Sequence, residues 1–335
     1  MSLLDKDDSI YIAGSSGMVG SALTKLFIKK GYNYQNKKLL KTSSKQLDLT
    51  DREKVLNWFQ DNRPNIVIIA AAKVGGILAN QSSPVEFLLE NIKIQNNLIE
   101  SSYKFGAKRL LFLGSSCIYP KHASQPIKED YLLNGNLEKS NQWYAIAKIA
   151  GIKLCEAYRN EYNFDAISLM PTNLYGPKDN YRNKDSHVMA SLIRKFYEAK
   201  YNNLDEVICW GSGSPLREFL YVDDFADACF KVLKEWDPNQ KNSPLDDEDK
   251  PINWMNVGSD YEISIKNLAE KISKIIDYKG KIIWDRNMPD GTPRKKLNSK
   301  FIKALNWEAK TNLDNGIIKT IRSFEDELKT KTIRF

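Results

Sequence analysis

The sequence predicts an α/β protein: a Rossmann-type, doubly wound parallel sheet with a smaller α/β lobe. Three observations predict it. The β-prone run Ser9-Ile-Tyr-Ile-Ala13 passes directly into Gly14-Ser-Ser-Gly-Met-Val-Gly20 and then into an amphipathic stretch. Strand, glycine turn and helix in that order begin a dinucleotide-binding βαβ unit, in which the glycines allow a tight turn and the helix N-terminus attracts pyrophosphate. Short apolar runs then alternate with helical periodicity up to about residue 170. Third, the apolar run Leu110-Leu-Phe-Leu113 ends in Gly114-Ser-Ser-Cys-Ile118, and Tyr144 and Lys148 follow four residues apart. Residues at that spacing share a helix face, and open α/β sheets place their chemistry at the carboxyl ends of strands.

Composition bounds the class. The chain has 335 residues, enough for one large core or two lobes. It is 42% hydrophobic and 27% charged, as expected for a soluble globular protein. No stretch approaches the roughly 20 apolar residues that span a bilayer. The opening Met1-Ser-Leu-Leu-Asp-Lys-Asp-Asp8 is acidic and lacks an apolar signal region. No membrane association is expected, and the expected location is cytoplasmic. Cys117, Cys155, Cys209 and Cys229 are widely spaced without a Cys-x-x-Cys pair, which argues against a disulfide framework or zinc site. His122 and His187 alone could not build a histidine-rich centre, so no metal is expected. The net charge of +8 raises the question of nucleic acid, but the lysines are scattered among acidic residues with no aromatic interleaving. No nucleic-acid partner is expected, and such a surface suits a small anionic substrate.

Taken in order, helices are predicted over 21–30, 52–62 and 84–105. Strands are predicted over 9–13, 38–41, 65–72, 110–113 and 166–170. In the third helix Phe87, Leu88, Asn91, Ile92, Gln95, Leu98 and Ile99 approximate one stripe, read as core or dimer interface. Residues 171–177 read as a loop at a strand's carboxyl end, beyond which the alternation gives way to a second lobe. A helix over 186–196 would carry His187 in its first turn. Strands over 207–210 and 217–222 precede Asp223-Asp224, which can cap a helix running to residue 234. Residues 236–250 are polar and read as an exposed insertion, and 253–257 read as a strand rejoining the first sheet. Helices over 265–276 and 314–327 flank a loop at 289–296.

Together these residues resemble the extended short-chain dehydrogenase/reductase family. The resemblance runs nearly end to end. It includes Ala70-Ala-Ala-Lys-Val-Gly-Gly76, Leu113-Gly-Ser-Ser-Cys-Ile-Tyr-Pro120, Tyr144-Ala-Ile-Ala-Lys148, Met170-Pro-Thr-Asn-Leu-Tyr-Gly-Pro177, Ser186-His-Val188, Arg217-Glu-Phe-Leu220 and Pro289-Asp-Gly-Thr-Pro-Arg-Lys295. The glycine loop and Tyr-x-x-x-Lys indicate only the superfamily. Ser-Ser-Cys-Ile-Tyr-Pro with the later Ser-His-Val is more specific, and resembles the branch that epimerises and then reduces a GDP-linked 4-keto-6-deoxy sugar.

The resemblance implies NADPH as hydride donor, with NAD less favoured, and GDP-4-keto-6-deoxy-D-mannose as substrate. It implies that Cys117 and His187 form an acid/base pair inverting C3 and C5. Ser115 and Tyr144 would stabilise the enolate oxygen, Tyr144 would protonate the C4 oxygen, and Lys148 would hold the nicotinamide ribose and favour the phenolate. Cofactor contacts are implied for Gly14, Ser15, Ser16, Gly17, Met18, Val19, Gly20, Lys41, Ala71, Leu113, Gly114, Pro171, Asn173 and Leu174, with Lys148 and His187. For the nucleotide sugar the resemblance suggests Lys195, Trp210, Arg217 and Lys295, since cations suit a diphosphate and an indole can pack on a base. Trp210 has a rival reading as core. Relatives often carry arginines in the glycine loop and after the second strand. This chain has Ser15, Ser16, Ser43 and Ser44 there, with Lys41 or Lys45 as substitutes.

The implied domains are an NADP-binding domain over 1–172 plus about 219–258, and a substrate-binding lobe over 173–218 and 259–335. A homodimer paired through the two long helices of the first lobe is implied as well. The rival readings are another nucleotide-sugar epimerase or dehydratase of the superfamily and a non-catalytic NADP-binding regulator. A dehydratase would be expected to carry an acidic pair where Ser115-Ser-Cys117 stands.

Overall fold

The computed structural model describes residues 3–36, 38–183, 185–241, 243–246 and 248–334. The first half alternates as expected: β1 (Ile10–Ala13), α1 (Met18–Lys29), β2 (Leu39–Leu40), α2 (Arg52–Asn62), β3 (Ile66–Ile69), α3 (Ile77–Ser82), α4 (Pro84–Lys104), β4 (Arg109–Leu113), α5 (Gln142–Tyr162) and β5 (Ala166–Pro171). There follow β6 (Asn173–Tyr175), α6 (Val188–Tyr201), β7 (Glu206–Trp210), β8 (Leu216–Tyr221), α7 (Val222–Glu235) and β9 (Trp254–Val257). The chain continues through β10 (Glu262–Ser264), α8 (Ile265–Ile276), β11 (Lys281–Asp285), β12 (Arg294–Lys295), α9 (Lys300–Ala304) and α10 (Leu313–Lys329).

Six parallel strands form the central sheet in the order β2-β1-β3-β4-β5-β9. Its strands are buried on both faces, which is why they read as continuous apolar runs. The twofold period of β1 sorts its side chains between two cores. Ile10 and Ile12 pack with Leu23 and Phe27 of α1 and Phe225 and Val232 of α7. Tyr11 and Ala13 face Val55 and Phe59 of α2, Leu98 of α4 and Ile152 of α5. A third core lies among α6, α8 and α10 under β7 and β8. A four-stranded sheet, β10-β8-β12 with β6 on β8, lies beside the central one, and β11 pairs with β7.

Several expectations need correction. The first helix starts at Met18, inside the glycine turn, not at residue 21. The third strand stops at Ile69, and Ala70 to Ala72 leave the sheet. Residues 173–175, expected as loop, form β6 because they pair in register with Phe219 to Tyr221. Part of the expected 289–296 loop likewise becomes β12, held by Leu216 and Arg217. Asp223 and Asp224 lie in the first turn of α7, not at its cap. Asp224 instead accepts the backbone N–H groups of Lys310 (3.2 Å) and Thr311 (2.8 Å), tethering the segment before α10. Nor are residues 236–250 simply an exposed insertion. Trp236 is fully buried, its indole N–H donates to Ser243, and its carbonyl accepts from buried Arg109. The strand over 253–257 does rejoin the central sheet, as β9 beside β5. Among the described residues, no helix is long and apolar enough to cross a membrane.

Candidate active site

Strand order fixes where the site must be. The chain leaves β1 towards β2 on one side and returns through β3 on the other, so a crevice opens outside the carboxyl ends of β1 and β3. The glycine turn follows β1, and the Ala70-to-Gly76 segment follows β3. They meet closely: a Cβ on Gly14, whose φ is +84°, would lie 2.7 Å from the Ala71 nitrogen, and one on Gly20 would lie 2.0 Å from the Gly14 carbonyl oxygen. Only glycine fits such a turn. Gly17 caps α1 without a side-chain hydrogen bond, and no acidic residue occupies the first turn. The donors at that helix start therefore face the crevice with the positive end of the helix dipole, which suits an anion. That uncapped cradle fits the pyrophosphate of a dinucleotide.

From this crevice a continuous cleft of ≈ 490 Å³ runs on to residues of β7, β8 and β12. It is lined at one end by Gly17, Met18, Val19 and Gly20. Its middle holds Leu113, Gly114, Ser115, Cys117, Tyr144, Lys148, Pro171, Asn173, Leu174 and His187. Lys195, Trp210, Arg217 and Lys295 line the remainder.

Strand β4 delivers Ser115 and Cys117. Residues Ser116–Ile118 form a single tight turn, with the Ser115 hydroxyl accepting the Cys117 N–H at 3.3 Å. Ser115 therefore caps this turn and also lines the cleft. Burial pushes the Cys117 thiol up, opposed by the nearby Lys295 charge and the Ser115 hydrogen bond. Helix α5 carries Tyr144 and Lys148, and Gln95 of α4 anchors it by donating to the Ala147 carbonyl at 2.7 Å. Lys148 is 4% exposed, donates to the Leu113 carbonyl at 2.7 Å, and lies 5.7 Å from the Tyr144 ring centre. Burial lowers its ammonium to about 8.

Burial pushes the Tyr144 phenol up, with Cys117 adding to the effect. Tyr144 is thereby held as a neutral O–H, the form that donates a proton. His187 occupies the N-cap of α6, one residue before the first turn in which it was expected. The residue is exposed along the cleft, and the protein mass around its ring lowers its pKa.

At the far end, Lys195 donates to the Ile208 carbonyl at 2.8 Å and lies 5.1 Å from the Trp210 ring centre. Trp210 is 41% exposed, so it is not a core residue. Lys295 stands in register with Arg217 across β12 and β8. Burial lowers both cations, Arg217 to about 10. Beneath them the buried Glu218 carboxylate accepts backbone N–H groups from Ser259, Asp260 and Leu297, and its carbonyl accepts the Asn173 amide at 2.8 Å.

Five of the expected cofactor residues do not line the cleft: Gly14, Ser15, Ser16, Ala71 and Lys41. Gly14 and Ala71 lie beneath it as the touching backbones just described. Lys41 is exposed, with its ammonium 4.3 Å from the Tyr34 ring centre. Conversely, Asp179, Trp284, Asp290 and Arg334 line the cleft although the sequence reading singled out none of them. Asp290 lies inside the Pro289-to-Lys295 motif, so its signal was available. Trp284 belongs to an alternating exposed strand, whereas Arg334 carries no local signal at all.

A parallel sheet of this order, opening through a glycine turn into such a cleft, defines the Rossmann class of dinucleotide-binding proteins. The chain belongs to the NAD dependent epimerase/dehydratase family, whose profile matches residues 10–245. It is 48% identical over 329 residues to "Putative GDP-L-fucose synthase 2" of Arabidopsis thaliana, covering 98% of this chain and 95% of that one. It is 43% identical over 319 residues to the Escherichia coli GDP-L-fucose synthase, covering 94% and 96%. The crystal structure of a GDP-L-fucose synthetase from Naegleria fowleri bound to NADP superposes with a TM-score of 0.84 at 27% identity, covering 99% and 98%.

Proposed function

We propose that this chain is an NADPH-dependent epimerase–reductase that converts GDP-4-keto-6-deoxy-D-mannose to GDP-L-fucose. The observation that carries the reading is one continuous cleft joining the glycine turn, the Ser115–Cys117–Tyr144–Lys148–His187 group and the cationic wall of Lys195, Arg217 and Lys295. The C4 ketone of the sugar acidifies the protons on C3 and C5. Cys117 and His187 form the pair that removes each proton and returns one on the opposite face. Burial raises the thiol and lowers the imidazole, so the resting pair is thiol and neutral imidazole with one proton to exchange. Ser115 and Tyr144 hold the enolate oxygen, and the Tyr144 hydroxyl then donates its proton to the C4 oxygen. NADPH supplies the hydride for C4.

Gly17, Met18, Val19 and Gly20 hold the cofactor's diphosphate over the start of α1, above Gly14, Ser15 and Ser16. Leu113, Gly114, Pro171, Asn173 and Leu174 border its nicotinamide half, where Lys148 faces a ribose hydroxyl. Lys195, Arg217 and Lys295 take the GDP diphosphate, and Trp210 packs on the base or sugar. The cofactor domain is 1–172 with about 219–258, and the substrate lobe is 173–218 with 259–335. Four buried free thiols suit a reducing compartment, the cytoplasm.

The functional unit is a homodimer paired through α4 and α5, which leave Val85, Leu89, Tyr103, Ile146 and Tyr162 exposed. Sedimentation equilibrium giving twice the chain mass supports this pairing, and a monomer overturns it. The activity is tested by mixing purified protein, the keto-sugar nucleotide and NADPH. Loss of NADPH absorbance with GDP-L-fucose as product is expected. A product retaining the manno configuration at C3 and C5 would overturn the reading.

A further inference from the structure

The segment following α10 returns to the glycine turn. The Arg334 carbonyl accepts the Tyr181 N–H at 2.9 Å, and the Glu327 carbonyl accepts from Thr332 at 3.0 Å. The Glu327 carboxylate holds the Lys178 N–H at 3.0 Å, so residues 178–181 and 332–334 are fastened together. Ile333 packs against the third core. This anchoring places the Arg334 side chain in the cleft lining, where Nη1 lies 3.9 Å from the position a Cβ would take on Gly17, the N-cap of α1.

The Arg334 guanidinium is solvent-exposed at the edge of the cleft. The start of a helix carries partial positive charge, so a cation beside it meets unfavourable electrostatics. An anion shared between the helix start and the guanidinium reverses the sign of both interactions. Within the protein, Nη1 makes a long contact, 3.4 Å, to the Lys178 carbonyl. The nearby carboxyl is Asp179, 4% exposed, whose Oδ2 has no hydrogen-bond partner among the described residues. Burial pushes Asp179 up to about 7, opposed by the Asn180 N–H and the Arg334 charge. Ser15 and Ser16 bring no cation to the turn, and Lys41 lies outside the cleft over Tyr34.

We propose that Arg334 is a binding residue for the diphosphate of the nicotinamide dinucleotide, reaching it from beside the α1 N-terminus. The assignment rests on the dinucleotide site proposed above and adds to it a ligand from the far end of the described chain. Arginine suits the task because its planar fork can meet two phosphate oxygens, whereas lysine offers a point charge. Because the diphosphate is common to both dinucleotides, Arg334 strengthens binding without choosing between NADPH and NADH.

The test is calorimetric titration of wild type, R334A and R334K with NADPH, NADH and GDP, which needs no turnover. R334A is expected to weaken NADPH and NADH by the same factor, roughly tenfold or more, as for one lost charge-assisted hydrogen-bonding group. R334K is expected to recover part of that loss, and GDP binding should be unchanged. Weakening confined to NADPH would assign Arg334 to the 2′-phosphate and overturn the proposal, as would weakening confined to GDP. Wild-type affinity in R334A overturns it alone. A wild type that binds neither dinucleotide overturns the proposed function and this assignment with it. Should R334A fail to fold, R334Q replaces it under the same criteria.

Discussion

Lys148 Nζ donates to the Leu113 carbonyl oxygen at 2.7 Å, hooking the middle of α5 to the end of β4. This single bond joins the helix that carries Tyr144 to the strand that delivers Ser115 and Cys117. The ammonium, 4% exposed, is held close to the reacting groups rather than in water. Removing the lysine would leave a buried carbonyl without its partner as well as deleting a charge. Tyr144 carries the cleaner test of proton donation. Tyr144→Phe is expected to slow NADPH oxidation by roughly 10²–10⁴-fold, with NADPH affinity near wild type by titration. A loss under about threefold would remove Tyr144 from its role as the acid.

The acid/base pair predicts a broad pH profile. Burial lowers His187 below 6.5, so the imidazole stays neutral into mild acid and the acid limb shifts to lower pH. Burial raises Cys117 above 9.0, so the thiol persists into mild alkali and the basic limb shifts upward. Solvent-deuterium exchange into the sugar, followed against pH without NADPH, should show a plateau wider than that 6.5–9.0 interval. C117S and H187N should each abolish most of the exchange. A narrow optimum inside the interval would contradict the environments assigned to both groups.

Trp210 is a half-exposed indole beside Lys195, and its contribution should be to binding. Trp210→Ala is expected to raise KM for the sugar nucleotide about tenfold with little change in kcat, the pattern of an interaction equal in ground and transition states. Steady-state kinetics at saturating NADPH measure this. A fall in kcat alone would place Trp210 elsewhere in the mechanism.

Glu129 tests the electrostatics away from the cleft. It is buried, accepts the Asn256 N–H at 2.9 Å, and is pushed by burial up to about 7. Its folded value lies above the ordinary 4.5, so the folded chain retains a proton that the unfolded chain releases. Stability from this source is complete below the unfolded value and is lost as pH rises through about 7. Glu129→Gln removes that loss. Thermal melts should show its advantage over wild type growing between about pH 5 and about pH 8, and a constant difference would refute the assignment.

Much of the central sheet and its helices was legible because the strands are buried on both faces and the helices carry one apolar stripe each. Arg52–Asn62 appeared as read because Asp51 caps it and accepts the Lys54 N–H at 3.1 Å. The smaller sheets were harder. Residues 173–175 and 294–295 are strands only because β8 offers them a partner, and pairing between distant segments leaves no local period. Trp236 stood in a polar stretch, and the partner of its carbonyl, Arg109, is far away in sequence. The site was read from motif residues that line the cleft together. Arg334 was illegible because its place depends on the fastening of residues 178–181 to residues 332–334.

The central claim is that one cleft inverts two carbons and reduces a third on the same ketone. Turnover of GDP-4-keto-6-deoxy-D-mannose with NADPH in D₂O tests it most directly, read by product identification and deuterium position. The account predicts GDP-L-fucose carrying deuterium at C3 and C5, with one NADPH oxidised per product. NADPH oxidation with no deuterium at either carbon would contradict it, as would a protein that neither exchanges nor oxidises.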